Sequence, residues 1–390
     1  MKIFSPPKRI LMGPGPSDVD PQVLKAMAAP LVGHLDPVFL NLMDDIQTHL
    51  RTLFETNNRL TIPISATGSA GMESAFVNLI EPGDKVTVCV NGVFGERMSD
   101  IVVRSGGNLS RVDVSWGRGF DMDVIRDNLL LNHPKILAVV HAETSTGVLT
   151  SLSQISEVLD EFPETLLLVD CVTSLAGHPV GIDQFGVDFG YAGTQKCMSC
   201  PPGLAPITVS DRAIKKIRSR GRKVQSWYLD LTMVENYWGE DRTYHHTAPI
   251  SMNYALHESL RMIHEEGLKK RWNRHHINHL AFVAGIEAMG LEMLVEPQKR
   301  LWSLNTVMIP DGVADGMVRS KLLKRFGIEI GGGLGPLKDK IWRVGLMGTS
   351  SQKSNVILLL SALEEILVKE GVLLERNSGS QAAENVYNKN

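Results

Sequence analysis

Five short, almost wholly apolar runs, at residues 62–64, 86–90, 136–140, 166–169 and 206–209, alternate with stretches of helical length between residues 61 and 210. A run with no polar face makes a strand that must be covered on both sides. Alternation with helix-like stretches at 69–80, 94–104, 121–131 and 153–161 is the pattern of βα units wound into a mainly parallel sheet. Two long helical stretches follow, 251–266 and 269–289. From about residue 291 a smaller α+β unit begins, with strand-like stretches at 301–308 and 340–344 and helix-like stretches at 316–326 and 352–369. The chain is therefore expected to be an α/β protein in four parts: an N-terminal arm over 1–20, a large domain over 21–268, a small C-terminal domain over 269–374, and a tail over 375–390. That tail is polar and poor in aromatics, which predicts disorder.

One of the buried runs, TLLLVD, ends in a carboxylate, Asp170. Open α/β sheets bind ligands at the carboxyl ends of their strands, so Asp170 is aimed at a ligand site. Downstream, Lys196 stands in GTQKCMSCPPG, a glycine- and proline-rich loop that can hold a lysine free of helix or strand geometry. An acid for a pyridinium nitrogen and an amine for an imine are the two groups that pyridoxal 5′-phosphate requires of its protein. Taken alone, Asp170 also fits a turn or a helix cap, and Lys196 a solvated loop.

Composition narrows the rest. The chain has 390 residues, 43% of them hydrophobic, enough for one large domain and a smaller one with a substantial core. With 40 basic and 43 acidic residues the net charge is −3, and the basic stretch at 212–223 reads as a solvated helix and loop, so no nucleic-acid partner is expected. No apolar run reaches membrane-spanning length, no signal-type core opens the chain and no SKL-type signal closes it; the expectation is a cytoplasmic protein with no membrane contact. Cys197 and Cys200 form a CxxC with no second pair, and Cys89 and Cys171 are isolated, so no zinc site is expected. Small residues packed under the lysine loop are the expected role, a redox dithiol the alternative. The doublets His245–His246 and His275–His276 are poor chelators because adjacent side chains point apart.

An ordered set of six or seven motifs, running from MGPGP at 12–16 to WRVGLMG at 342–348, resembles the class V family of fold-type I pyridoxal-phosphate enzymes over nearly the whole chain. Within that family it is most similar to the small glyoxylate transaminases: alanine–glyoxylate, serine–glyoxylate and serine–pyruvate aminotransferases. The resemblance implies a mainly parallel seven-stranded sheet sandwiched by helices, plus a small α+β C-terminal domain.

Residue by residue, the segment SATGSAG at 65–71 joins a strand to a helix whose free N–H groups and dipole suit an anion, though an ordinary capped helix fits as well. The resemblance places the cofactor phosphate there, on Gly68, Ser69, Ala70 and Gly71. Phe94 matches the aromatic, often tryptophan in the family, that stacks on the cofactor ring; a plain core phenylalanine is the alternative. In HAETSTG, Thr144 is implied to bond the ring's phenolic side or the substrate carboxylate, with Ser145 as the neighbouring alternative. By the same resemblance Asp170 pairs with the pyridinium N–H, Val172 packs on the ring face opposite Phe94, and Gln195 lies beside the phosphate. Lys196 would carry the cofactor and then shuttle the proton between the substrate Cα and the cofactor C4′. Tyr244 and Thr247, in YHHT, resemble a clamp on the phosphate of a neighbouring subunit, which implies a homodimer with shared active sites; a polar loop is the alternative. Arg343 matches the carboxylate-binding arginine, where a surface arginine is the alternative.

No second arginine matched to a distal carboxylate is evident, which points to small substrates. The expected reaction moves an amino group from alanine or serine to glyoxylate, giving glycine, by a ping-pong mechanism. Ureidoglycine–glyoxylate and serine–pyruvate transamination are the alternatives. A cysteine desulfurase-like lyase is more remote, for want of an isolated loop cysteine near Arg343. A cofactor-sensing transcription regulator would need a DNA-binding domain for which the early start of the sheet pattern leaves no room.

Overall fold

A computed structural model describes residues 3–372 and 377–389. Seven strands form one large sheet: β1 (Leu60–Ile64), β2 (Lys85–Val90), β3 (Asn108–Asp113), β4 (Ile136–Val140), β5 (Leu166–Asp170), β6 (Phe189–Tyr191) and β7 (Ala205–Val209). They lie in the order β1-β7-β6-β5-β4-β2-β3. Strand β7 runs antiparallel to both neighbours and the other pairs are parallel, so the sheet is mainly parallel as expected. Every residue of β4 and β5 is buried, which is why these segments read as unbroken apolar runs.

Two strands are not apparent in the sequence. Edge strand β3, NLSRVD, is half polar because one flank faces solvent, and β6 is only three residues, Phe-Gly-Tyr. The helix Pro37–Phe54 also escapes the βα pattern. Asp36 caps it by accepting from Val38 N–H at 2.8 Å, proline occupies its first turn, and Phe39, Met43, Ile46 and Leu50 form its buried stripe.

The C-terminal unit holds a three-stranded antiparallel sheet, β8 (Leu304–Met308), β9 (Gly331–Gly332) and β10 (Ile341–Gly345), in the order β8-β10-β9. Phe282, Ile286, Trp342, Val356 and Leu360 centre a hydrophobic cluster separate from that of the large sheet. The N-terminal arm is tied to this smaller unit. Ile10–Leu11 pairs in parallel with Ile328–Glu329, and Met12 is buried in the second cluster. Among the described residues no helix is long and apolar enough to cross a membrane.

The expected disorder of the tail is corrected over residues 377–389; residues 375, 376 and 390 lie outside the described residues. Ser378–Tyr387 is a helix packed on Leu268–Ala288. Small residues make the docking possible. A Cβ on Gly379 would lie 2.9 Å from the Gly285 carbonyl, and Ala383, one turn on, is fully buried. Tyr387 donates to Asn278 Oδ1 at 2.6 Å, Gly379 N–H to Glu364 Oε1 at 2.8 Å, and Lys353 pairs with Glu384 at 2.7 Å. Composition missed this helix because close backbone approach, rather than aromatic bulk, holds it. Truncation after residue 372 is expected to lower stability by about 2–3 kcal/mol, through lost burial and the lost bond partner of Glu364. Thermal unfolding of the two forms checks this; an unchanged midpoint would mean that the helix does not dock in solution.

Candidate active site

Strand β5 delivers Asp170 to the carboxyl edge of the sheet, 2% exposed. Its carboxylate accepts from Val172 N–H at 2.8 Å and from the Tyr191 hydroxyl at 2.9 Å. Burial pushes the carboxyl up to about 6, against those two bonds and the charges of Lys196 and Arg97. The chain passes through β6 and returns in the loop that carries Lys196, which is nearly buried. Desolvation pulls the Lys196 ammonium down to about 8; Cys197 and Asp170 oppose the shift and Arg343 adds to it. The neutral, nucleophilic amine is thus more accessible near neutral pH than that of a solvated lysine.

The N-terminal arm roofs this lysine. Lys196 Nζ donates to the Pro14 carbonyl, Ser17 Oγ donates to the Lys196 carbonyl at 2.7 Å, and Ser17 N–H donates to the Gln195 carbonyl at 2.9 Å. Gly15 is required here: its φ is +108°, and a Cβ would overlap the lysine side chain.

The helix Gly68–Leu79 begins at the same edge. Thr67 gives it no side-chain cap; Ala70 N–H is met by the Thr67 carbonyl at 2.8 Å, and the N–H groups of Gly68, Ser69 and Gly71 are left to a ligand or water. A Cβ on Gly68 would lie 3.4 Å from Gly193 Cα and 3.5 Å from Val172 Cγ2, which places the first turn against both the Asp170 side and the Lys196 loop. Arg97 ties in the aromatic. Its guanidinium lies 5.0 Å from the centre of the half-buried Phe94 ring and donates to Ser69 Oγ at 3.1 Å.

From the smaller unit, β10 projects Arg343 into the interface with the large sheet. Arg343 is 7% exposed and donates to the Gly332 carbonyl at 2.7 Å and the Thr144 carbonyl at 3.3 Å. Both partners are neutral, which leaves the guanidinium charge for an anion. Burial lowers its pKa, with the Glu143 carboxylate opposing. Arg319 is near enough to act on Arg343, but Asp315 holds it in a two-point pair at 2.8 and 2.6 Å. The Thr144 hydroxyl is 2.5 Å from that of Thr173.

The structure therefore brings together Asp170, Val172, Lys196, Gln195, Thr144, Arg343, Phe94 and the Gly68–Gly71 turn. Tyr244 and Thr247 are exposed, and no described hydrogen bond links them to that turn of their own chain. Their neighbour His246 does approach it, with Nε2 2.7 Å from Ser65 Oγ. Cys89, Cys171, Cys197 and Cys200 are all buried, and burial pushes each thiol up, Cys197 to about 11 and Cys89 and Cys200 to about 12. Buried protonated thiols make poor persulfide carriers or redox pairs. Sequence reasoning missed Pro14, Glu143, Tyr191 and Arg97. Pro14 and Glu143 lie inside quoted motifs but reach the site only by tertiary contact; Tyr191 was hidden by the shortness of its strand.

A donor set of this kind fits pyridoxal 5′-phosphate. An acid waits at a strand end, an uncapped helix start faces the same space, and Gln195 Oε1 beside Lys196 is buried without a partner. Fold and site together define a fold-type I aminotransferase scaffold. Residues 11–338 match the sequence pattern of the class-V aminotransferases, and the chain belongs to that family. An alanine–glyoxylate aminotransferase of Callithrix jacchus is 39% identical, over 94% of this chain and 89% of its own. Among solved structures, an alanine–glyoxylate aminotransferase from Nostoc sp. superposes with a TM-score of 0.92 at 48% identity, covering 94% of this chain and 97% of its own. The ureidoglycine–glyoxylate aminotransferase of Bacillus subtilis superposes with a TM-score of 0.97 at 40% identity, covering 99% and 100%.

Proposed function

We propose that this protein is a pyridoxal-phosphate-dependent aminotransferase that moves an amino group from alanine or serine to glyoxylate. The observation that carries the proposal is the joint burial, at one sheet edge, of Asp170, the low-pKa amine of Lys196 and the charge-available Arg343. The names of the relatives support glyoxylate as acceptor.

Bound pyridoxal 5′-phosphate supplies an electron sink for the charge that develops at the substrate Cα. Asp170 would hold a proton on the ring nitrogen, its charge-assisted bond offsetting the cost of its own burial. The turn of Gly68, Ser69, Ala70 and Gly71 would receive the phosphate, Gly68, Ser69 and Gly71 through N–H groups with no described partner and Ala70 by exchanging its bond to the Thr67 carbonyl, with Gln195 beside it. Phe94 and Val172 would flank the ring, and Thr144 its phenolic edge or the substrate carboxylate. Lys196 would anchor the cofactor and then, as a free amine, take the proton from the substrate Cα and deliver it to the cofactor C4′. Arg343 would orient the substrate carboxylate with its planar fork.

Beside Arg343 no second arginine among the described residues is offered to a distal carboxylate: Arg319 is paired with Asp315, and Arg97 lies over the Phe94 ring with its donor on Ser69. Glutamate would bring a second carboxylate without a matched partner, and an unpaired buried charge costs several kcal/mol. Glyoxylate has no side chain. Initial rates with alanine or serine against glyoxylate are expected to give parallel double-reciprocal lines, with kcat/KM at least about 100-fold above that for glutamate and 2-oxoglutarate. Glutamate with 2-oxoglutarate as the best pair would overturn the reading. The close superposition on the Bacillus subtilis enzyme favours ureidoglycine as the second donor to test; preference for it would keep the acceptor and change the donor.

The working enzyme is, in this proposal, a homodimer in which Tyr244 and Thr247 of each protomer complete the phosphate site of the other. Their exposure on their own chain supports this. Mixing a Lys196→Ala protomer with a Tyr244→Ala/Thr247→Ala protomer, each inactive alone, is expected to restore up to about one quarter of wild-type activity, because one of two sites is intact in the half of the dimers that are mixed. Subunit exchange without recovery would contradict the shared site.

A further inference from the structure

The helix Val93–Arg104 has no cap of its own. Its N-cap residue is Gly92, which has no side chain to bond the first N–H groups. Those groups are met from across the site instead. Ser145 Oγ accepts from Val93 N–H at 2.9 Å, and Glu143 Oε2 accepts from Phe94 N–H at 3.2 Å, with Gly95 N–H directed at the same carboxylate. Glu143 Oε1 in turn accepts from the hydroxyl and the N–H of Ser145, at 2.6 and 3.1 Å. Glu143 is fully buried, and a Cβ on Gly92 would overlap its side chain, so the glycine makes room for this arrangement.

A carboxylate buried in the same region as Asp170 is costly, and Asp170 adds to the upward push of burial on the Glu143 carboxyl. Retaining it there needs a compensating task. Donors address both of its oxygens, and a negative charge at a helix N-terminus is favourable. The second residue of that helix is Phe94, and one turn later Arg97 lies over its ring while holding Ser69 of the expected phosphate turn.

We infer that Glu143 is a positioning residue that sets the Phe94 ring, and through Arg97 the Ser69 turn, by capping the helix Val93–Arg104 from the segment that follows the neighbouring strand β4. Glu143 touches neither substrate nor cofactor in this account; it acts through the first turn of the helix. The inference rests on the reading of the site as one for pyridoxal 5′-phosphate, with Phe94 against the ring.

The experiment uses the full chain as wild type, Glu143→Gln, Phe94→Ala and the double variant. An amide offers one acceptor oxygen where donors address two, so Glu143→Gln breaks part of the cap at nearly constant volume. The release rate of pyridoxal 5′-phosphate from the loaded protein and its induced visible circular dichroism are measured. Each single variant is expected to release the cofactor about tenfold faster and to lose much of the dichroic band, whereas the double variant falls no further than Phe94→Ala. Multiplication of the two effects, to about 100-fold, would show that Glu143 does not act through Phe94 and would overturn the inference. In cofactor-free protein, hydrogen exchange over residues 93–96 is expected to speed up in Glu143→Gln; exchange equal to wild type would also overturn it. Should Glu143→Gln not fold, Glu143→Asp keeps the charge but shortens the reach to Phe94, and the same signature is required of it. Wild-type protein that acquires no visible band with pyridoxal 5′-phosphate would defeat the cofactor reading itself, whereas a normal wild-type band with a wild-type-like Glu143→Gln defeats this inference alone.

Discussion

Lys196→Ala is expected to lower transamination by about 10⁴-fold or more, because in the proposed mechanism one amine both anchors the cofactor and moves the proton at the substrate Cα. The fold should tolerate the change. The described partner of Nζ is the Pro14 carbonyl, and the roof over the loop is also held by Ser17 on the backbone of residues 195 and 196. Activity assays paired with far-ultraviolet circular dichroism separate loss of chemistry from loss of structure. Turnover within about tenfold of wild type in a folded variant would remove Lys196 from the mechanism.

Asp170→Asn is expected to cut turnover by about 10³-fold while cofactor retention falls much less. Retention also draws on the phosphate turn and the ring contacts, whereas only a carboxylate can hold a cationic ring nitrogen. The same variant should behave oppositely in stability. The Asp170 carboxyl is raised from 3.8 to about 6 in the folded chain. An acid with a raised folded pKa contributes stability that is fully present below the unfolded value and is lost as pH rises through the folded one. Cofactor-free wild type is therefore expected to lose about 2–3 kcal/mol from this group between pH 4 and pH 7, a loss that Asp170→Asn escapes. At pH 8 the cofactor-free variant should be the more stable and the loaded variant the less active. Equal midpoints for both cofactor-free proteins at pH 8 would mean that Asp170 is better solvated than its burial indicates.

That opposition is the physical signature of a site built for a ligand. A carboxylate at the end of a fully buried strand is a poor choice for the empty protein and a good one for a protein holding a cationic ring. It is also why Asp170 stands out in the sequence: an acid closing the buried run LLLV is costly, and the bonds from Val172 N–H and the Tyr191 hydroxyl only partly offset that cost. Lys196 was legible for a related reason, standing in a loop of glycines and prolines.

Legibility failed where the signal lies in tertiary contact. Strands β1, β2, β4, β5 and β7 appear as apolar runs because both faces are covered, while β3 is half polar at the sheet edge and β6 is too short to show a pattern. The helix Ser378–Tyr387 looked disordered because glycine and alanine, the residues that let it approach Leu268–Ala288, count as uninformative by composition. Glu143 sits one residue from Thr144 in a motif already singled out, yet its task depends on Phe94, which only the folding of β2 and β4 side by side brings near. Arg343 is assigned to a substrate carboxylate by resemblance, whereas its burial against the neutral Gly332 and Thr144 carbonyls appears only in the folded chain.

Borohydride reduction of the loaded protein followed by peptide mapping decides whether Lys196 is the cofactor lysine of this class-V aminotransferase site. A single pyridoxyl group is expected on the peptide containing Lys196. A label on Lys215, Lys216 or Lys223 instead, the lysines next along the chain, would contradict that assignment.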